Sequence, residues 1–144
     1  MTLPSGLKLS QANQIIAAAL AKGEALGLKP LTVAVLDAGG HLLAVQRQDG
    51  ASNLRPQIAI GKAAGALYLG VSSRQIAVMA SERPSFIASL GSLAGDGIIP
   101  AAGGLLIQSD GNLVGAVGIT GDTSDNDEAC AIEGLERAGF VANV

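Results

Sequence analysis

The polar residues that interrupt this apolar chain are the ones able to do chemistry. Lys62 sits inside the run Ile58-Ala59-Ile60-Gly61-Lys62-Ala63. A lysine among aliphatic residues is a cation at a pocket, or an amine whose pKa falls on desolvation. The plainer reading is a surface lysine whose stem lies along apolar neighbours. Asp127 and Glu128 stand together ahead of another apolar stretch. Two adjacent carboxyls suit proton transfer, although acidic residues at the positive end of a helix need no further role. Arg47 and Asp49 close an apolar segment just before Gly50, as ligand-binding groups or as a local ion pair and turn cap.

Glycine and histidine add further candidates. Gly103-Gly104, and Gly115, Gly118 and Gly121 at intervals of three, would let a ligand reach backbone amides; tight sheet packing explains the same glycines. Gly121 leads to Ser124, whose helix start is a natural anion site. No G-x-G-x-x-G and no Walker sequence occurs, so nucleotide binding has no direct support. His41, the sole histidine, stands in a glycine turn, inert there or the axial ligand if haem binds. Tyr68, Met79 and Cys130 are also iron-ligating types, each read more simply as core. One histidine and one cysteine are too few for zinc, so no metal centre is expected.

The elements that must position these residues follow from periodicity. Ala12, Ile15, Ile16, Ala19 and Leu20 mark one face of a helix over residues 10–25, with Ser10 as its cap and Gly27 beyond its end. After Pro30 the period changes. Apolar runs at 31–36 and 42–45 flank Asp37-Ala38-Gly39-Gly40 and predict a β-hairpin. Helices are expected over 52–69, with Pro56 in the first turn, over 73–80, and from Pro84 to about residue 91. Glu82-Arg83-Pro84 reads as a charged helix boundary. Runs at 104–108 and 113–120 around Asp110-Gly111 predict a second hairpin. A last helix covers 124–138, capped by Ser124, with a Glu133–Arg137 pair and Gly139 as its stop. The order helix, hairpin, helices, hairpin, helix predicts a single α/β (α+β) domain over residues 1–144. Its antiparallel sheet is flanked by helices.

Composition narrows the function classes. Hydrophobic residues make up 49% of the chain and charged residues only 15%, leaving a surface short of charge that self-association would cover. A net charge of −3, no basic cluster and three aromatics (Tyr68, Phe86, Phe140) exclude nucleic acid as an expected partner. No run is long and apolar enough for a membrane span, and the first residues lack a secretory pattern, so the cytoplasm is expected. Cys130 stands alone, which excludes an intramolecular disulfide.

Taken in order, several segments resemble the GlcG/HbpS family, also called the haem-degrading or DUF336 family, over nearly the whole chain. They are Val33-Ala34-Val35-Leu36-Asp37 with Gly40, Arg47-Gln48-Asp49-Gly50-Ala51, Ile58-Ala59-Ile60-Gly61-Lys62-Ala63, Ile99-Pro100-Ala101-Ala102-Gly103-Gly104, Asp110-Gly111-Asn112-Leu113-Val114-Gly115-Ala116-Val117-Gly118, and Asp127-Glu128. The resemblance implies a profilin-like α/β/α fold and ring-like homo-oligomers, hexamers or octamers. It implies no single activity, since relatives bind haem or iron, carry corrinoid adenosyltransferase domains, or sit in catabolic operons.

Three functional readings follow. The first is an enzyme acting on a small anionic catabolic metabolite. Lys62, Asp127 and Glu128 would be its catalytic groups, and Arg47, Asp49, Gly103, Gly104 and Gly121 its ligand contacts. The second is a haem or corrinoid binder without turnover, with His41 as the haem ligand; the scarcity of aromatics counts against it. The third is a subunit that only assembles.

Overall fold

A computed structural model describes residues 6–95 and 97–144. The first helix, α1, spans Leu9–Ala25 and buries Ala12, Ile15, Ile16 and Ala19. Ser10 is therefore inside the helix rather than its cap. Lys8 holds the cap position, and its N–H donates to Gln11 Oε1 at 2.9 Å. Strands β1 (Thr32–Asp37) and β2 (Leu42–Arg47) form the first hairpin. Asp37 Oδ1 secures its turn by accepting the N–H groups of Gly39 and His41 at 3.0 and 2.9 Å. Strands β3 (Gly104–Ser109) and β4 (Asn112–Thr120) form the second, around Asp110 and Gly111, both at positive φ.

The two hairpins join into one antiparallel sheet of order β2-β1-β4-β3, so β1 and β4 are central. Strand β1 is buried on both faces from Thr32 to Leu36, which explains its unbroken apolar run. Val33, Val35, Val117, Ile119, Leu105 and Ile107 face α1 and the last helix, α5 (Ser124–Arg137), where they meet Ile15, Ile16 and Leu135. Leu36, Ala63, Ala64 and Ala116 form a smaller cluster beneath α2 (Arg55–Leu69) on the other face. The result is a helix–sheet–helix sandwich, an α/β fold with an antiparallel sheet between helical layers.

Small residues set the spacing of the α2 layer. A Cβ on Gly118 would collide with the carbonyl oxygen of Ala59, and one on Gly104 with that of Lys62. Helix backbone thus lies directly on sheet backbone. Helix α2 starts three residues later than its apolar pattern suggests, because a turn closes first through Arg55 N–H to Ser52 O, at 3.2 Å. Helices α3 (Ser73–Glu82) and α4 (Pro84–Ser89) follow, then a short 3₁₀ turn at Leu90–Ser92. Thr123 rather than Ser124 caps α5, its Oγ1 accepting the Asn126 N–H at 3.2 Å. No helix among the described residues is long and apolar enough to cross a membrane.

Candidate functional site

The seat of α2 on the glycines of β3 and β4 carries Lys62 into the interior. Its side chain is only 4% exposed, so the lysine is not lying along the surface. Nζ donates to Ile119 O at 2.9 Å and to Asp127 Oδ2 at 3.2 Å. Asp127, 1% exposed, comes from the first turn of α5, and its Oδ1 accepts the Asp122 N–H at 3.0 Å. The lysine and the aspartate therefore form a buried ion pair linking α2 to α5. Burial pulls the Lys62 pKa down, against the opposing pull of Asp127. Burial likewise pushes the Asp127 carboxyl up, against the Asp122 N–H and Lys62.

Gly103 borders the same pair. Its φ is +129°, and a Cβ there would lie 3.0 Å from Lys62 Nζ and closer still to Ile119 O. The glycine makes room for the ammonium and for the strand. Gly104 donates its N–H to Ser73 Oγ at 2.7 Å. Glu128 is also buried, and both its oxygens accept from Arg74 Nε at 3.0 Å. Arg74 also bonds Asp125, and these carboxylates raise its pKa further. Sequence reasoning missed Arg74. Its only signal was Glu128, a carboxylate in a helix expected to be buried on one side, which needed a cation from elsewhere. A cleft of about 380 Å³ opens beside Arg74, bounded by Val78, Pro100, Ala102 and Ser124.

The remaining candidates lie elsewhere. Arg47 Nη1 donates to Asn53 Oδ1 at 3.0 Å and does not pair with Asp49. Both border an open hollow with Glu24, Leu28 and Pro30, away from Lys62. Gly121, at φ +143°, packs against the backbone of Pro30 and Leu31. The structure thus gathers Lys62, Asp127, Glu128, Gly103 and Gly104, and leaves Arg47, Asp49 and Gly121 outside that group.

His41 occupies the opposite end of β1, roughly 20 Å along the six-residue strand. Its side chain is 83% exposed, with Nδ1 3.3 Å from Asp37 Oδ1. The neighbouring turn residues Ala38, Gly39 and Gly40 border a cavity of about 220 Å³ with Ala64, Leu67 and Tyr68. Tyr68 is half exposed and so not the core residue that its apolar helix suggested, because it lies at the end of α2, past the sheet contact. Cys130 is fully buried, and burial pushes its thiol up to about 11. Arg55 also escaped notice in the sequence; its Nη1 donates to Thr120 Oγ1 at 2.8 Å. Among the described residues no three His, Cys, Asp or Glu side chains gather as a metal cluster would.

Comparison with known proteins adds the following. The family model described as haem degrading protein HbpS-like matches residues 7–136. The Klebsiella pneumoniae protein ORFY, of the DUF336 family, is 27% identical with a TM-score of 0.84, over 96% of this chain and 94% of its own. HbpS is 26% identical with a TM-score of 0.80, over 94% of this chain and 92% of its own. PduOC, solved as a haem complex, superposes with a TM-score of 0.86 over 97% of this chain and all of its own. At 21% identity that likeness is one of fold. No curated protein sequence matches.

Proposed function

Because the chain belongs to the family of HbpS-like haem-degrading proteins, we propose that it is a haem-binding protein whose iron ligand is His41. One observation carries this reading: the only imidazole in the chain is exposed, with its Nδ1 3.3 Å from the Asp37 carboxylate. With Nδ1 facing Asp37 Oδ1, Nε2 is the nitrogen left for a metal, and a carboxylate behind a ligating histidine helps to orient the ring. The cavity beside the same turn, bordered by residues next to His41 rather than by His41 itself, would take the apolar edge of a flat group. Gly39 and Gly40 present bare backbone, Ala64 and Leu67 a dry wall, and Tyr68 a hydroxyl at the edge. When bound, haem supplies a redox-active iron; the protein's part is to ligate it, hold the ring and shield one face. A cavity of about 220 Å³ covers only part of a porphyrin. In this reading a second copy would close the other face, as the surface short of charge favours, and the protein would work in the cytoplasm.

Adding haem to the purified protein tests this. A Soret band that saturates at one haem per chain is expected, with affinity falling at least about tenfold in His41→Ala, the loss of one metal bond. An unchanged titration in that variant overturns the assignment.

A second reading, an enzyme acting on a small anionic metabolite, is favoured by the cleft of about 380 Å³ flanked by Arg74 and Ser124. There Arg74 would exchange its bond to Asp125 for one to the anion, and Glu128, bonded to Arg74 behind the lining, would be the proton-exchanging group, while the enclosed Lys62–Asp127 pair would fix the start of α5. A protein that takes up no haem, and instead retains a small acid through purification, supports this reading over the first.

A further inference from the structure

We infer that the start of α2 is a binding site for a small oxoanion, a free carboxylate or phosphate group. It would be held between Arg55 and Arg47 over the hydroxyls of Thr120 and Thr32. The inference stands apart from the haem reading, since His41 is at the other end of β1.

The sheet register builds the floor of this site. Thr32 pairs with Arg47 on one side and with Thr120 on the other. Directly opposed residues share a face of a sheet, so the three side chains form a row across β2, β1 and β4. Val33 and Val35 point toward α1 and α5, which puts Thr32 and its row on the face that α2 covers. Arg55, the first residue of α2, reaches that row by donating to Thr120 Oγ1 at 2.8 Å.

Thr32 is the observation that points to a ligand. It is 0% exposed, yet its Oγ1 has no hydrogen-bond partner. A buried hydroxyl left unbonded lowers stability, and native proteins rarely keep one without a use. This one lies between Arg47 and the Arg55–Thr120 bond.

Among the described residues neither arginine beside the row makes an ion pair, although Arg47 shares its hollow with Glu24 and Asp49. Lys62 and Arg74, by contrast, are both neutralised. Arg47 spends one donor on Asn53 and Arg55 one on Thr120, which leaves the rest of each guanidinium fork free. The helix end adds to this. Leu54 at the cap position provides no side-chain bond and the first turn of α2 has no acidic residue, while Ser72 and Thr123 cap α3 and α5. The positive end of a 15-residue helix, two arginines and an unpartnered hydroxyl all favour the same occupant.

The test is an amide NMR titration of the full chain with sodium phosphate, and separately with sodium acetate, at ionic strength held constant with chloride. Saturable shifts at Thr32, Arg55 and Thr120 are expected, and the tighter ion identifies the group as phosphoryl or carboxylate. Arg55→Gln should weaken binding at least about tenfold, the loss of a charge-assisted bond. Thr32→Val keeps the shape and removes only the hydroxyl, so it should weaken binding several-fold while melting no lower than the parent. Arg137→Gln, on a distant helix, should bind as the parent does. The proposal fails if neither ion gives saturable shifts, or if Thr32→Val binds like the parent. The latter readout holds even should Arg55→Gln not fold.

Discussion

Lys62 and Asp127 are a pair that the interior tolerates only together. Each is desolvated, and each is hydrogen-bonded to the other and to one backbone group. Lys62→Met should therefore destabilise the fold by about 3–5 kcal/mol, the usual result of leaving a buried charge alone. Urea unfolding at several pH values checks this and its sign. Burial raises the Asp127 pKa, and removing Lys62 takes away a group that lowers it. Such a group favours the native state at low pH and loses that contribution as pH rises through its raised pKa. The deficit of Lys62→Met should shrink as pH falls toward 4. Cys130 gives a second pH signature. Burial pushes its thiol up to about 11, against 9.0 as the ordinary value. Taken alone, this thiol lowers stability by roughly 2–3 kcal/mol between pH 9 and 11, at about 1.4 kcal/mol per unit, while the lowered Lys62 pKa acts in the opposite sense in both the parent and Cys130→Ala. Cys130→Ala lacks the thiol's contribution and should show a correspondingly less negative slope over that interval.

At the scale of elements, both hairpins, the helix order and most boundaries were legible because alternation, turn glycines and helical spacing are local. The caps of α1 and α5 were not, since Lys8 and Thr123 are no better as sequence signals than their neighbours Ser10 and Ser124. Lys62, Asp127 and Gly103 stood out as unusual residues, but their meeting depends on how far α2 sinks into the sheet. That depth is set by the absence of side chains at Gly104 and Gly118, which a single sequence shows only as glycines. Arg55 and Arg74 were missed because an arginine at a helix start looks solvated until its partner is known. Gly118→Ala tests the packing directly. A methyl would have to displace the backbone of α2 at Ala59 and Ala63. The expected loss exceeds the ~1–3 kcal/mol of ordinary overpacking, read by thermal melting. The same change at Gly139, where the surroundings are open, adds only the strain of its positive φ.

The whole molecule has an outside that a small solitary domain would find hard to keep in water. Leu93 is 81% exposed, Val141 70% and Leu54 63%, with Val78 and Phe86 also open, on a chain with only 15% charged residues. Native mass spectrometry should find a mass several times 14.2 kDa. Leu93→Asp or Leu54→Asp should shift the distribution toward smaller species if either leucine is at a contact. A parent protein that flies only as a monomer would sink the oligomer reading.

The strand order has a bearing on how the chain is born. β1 is made early, but one of its two neighbours, β4, comes from the far end of the chain, and the apolar face of α1 waits for α5. A ribosome-bound chain that has completed both the first hairpin and α2 still carries an unsatisfied strand edge and an uncovered helix. Folding must then wait until β4 and α5 have been made, and a chain stopped before them would be a sticky fragment rather than a smaller working protein.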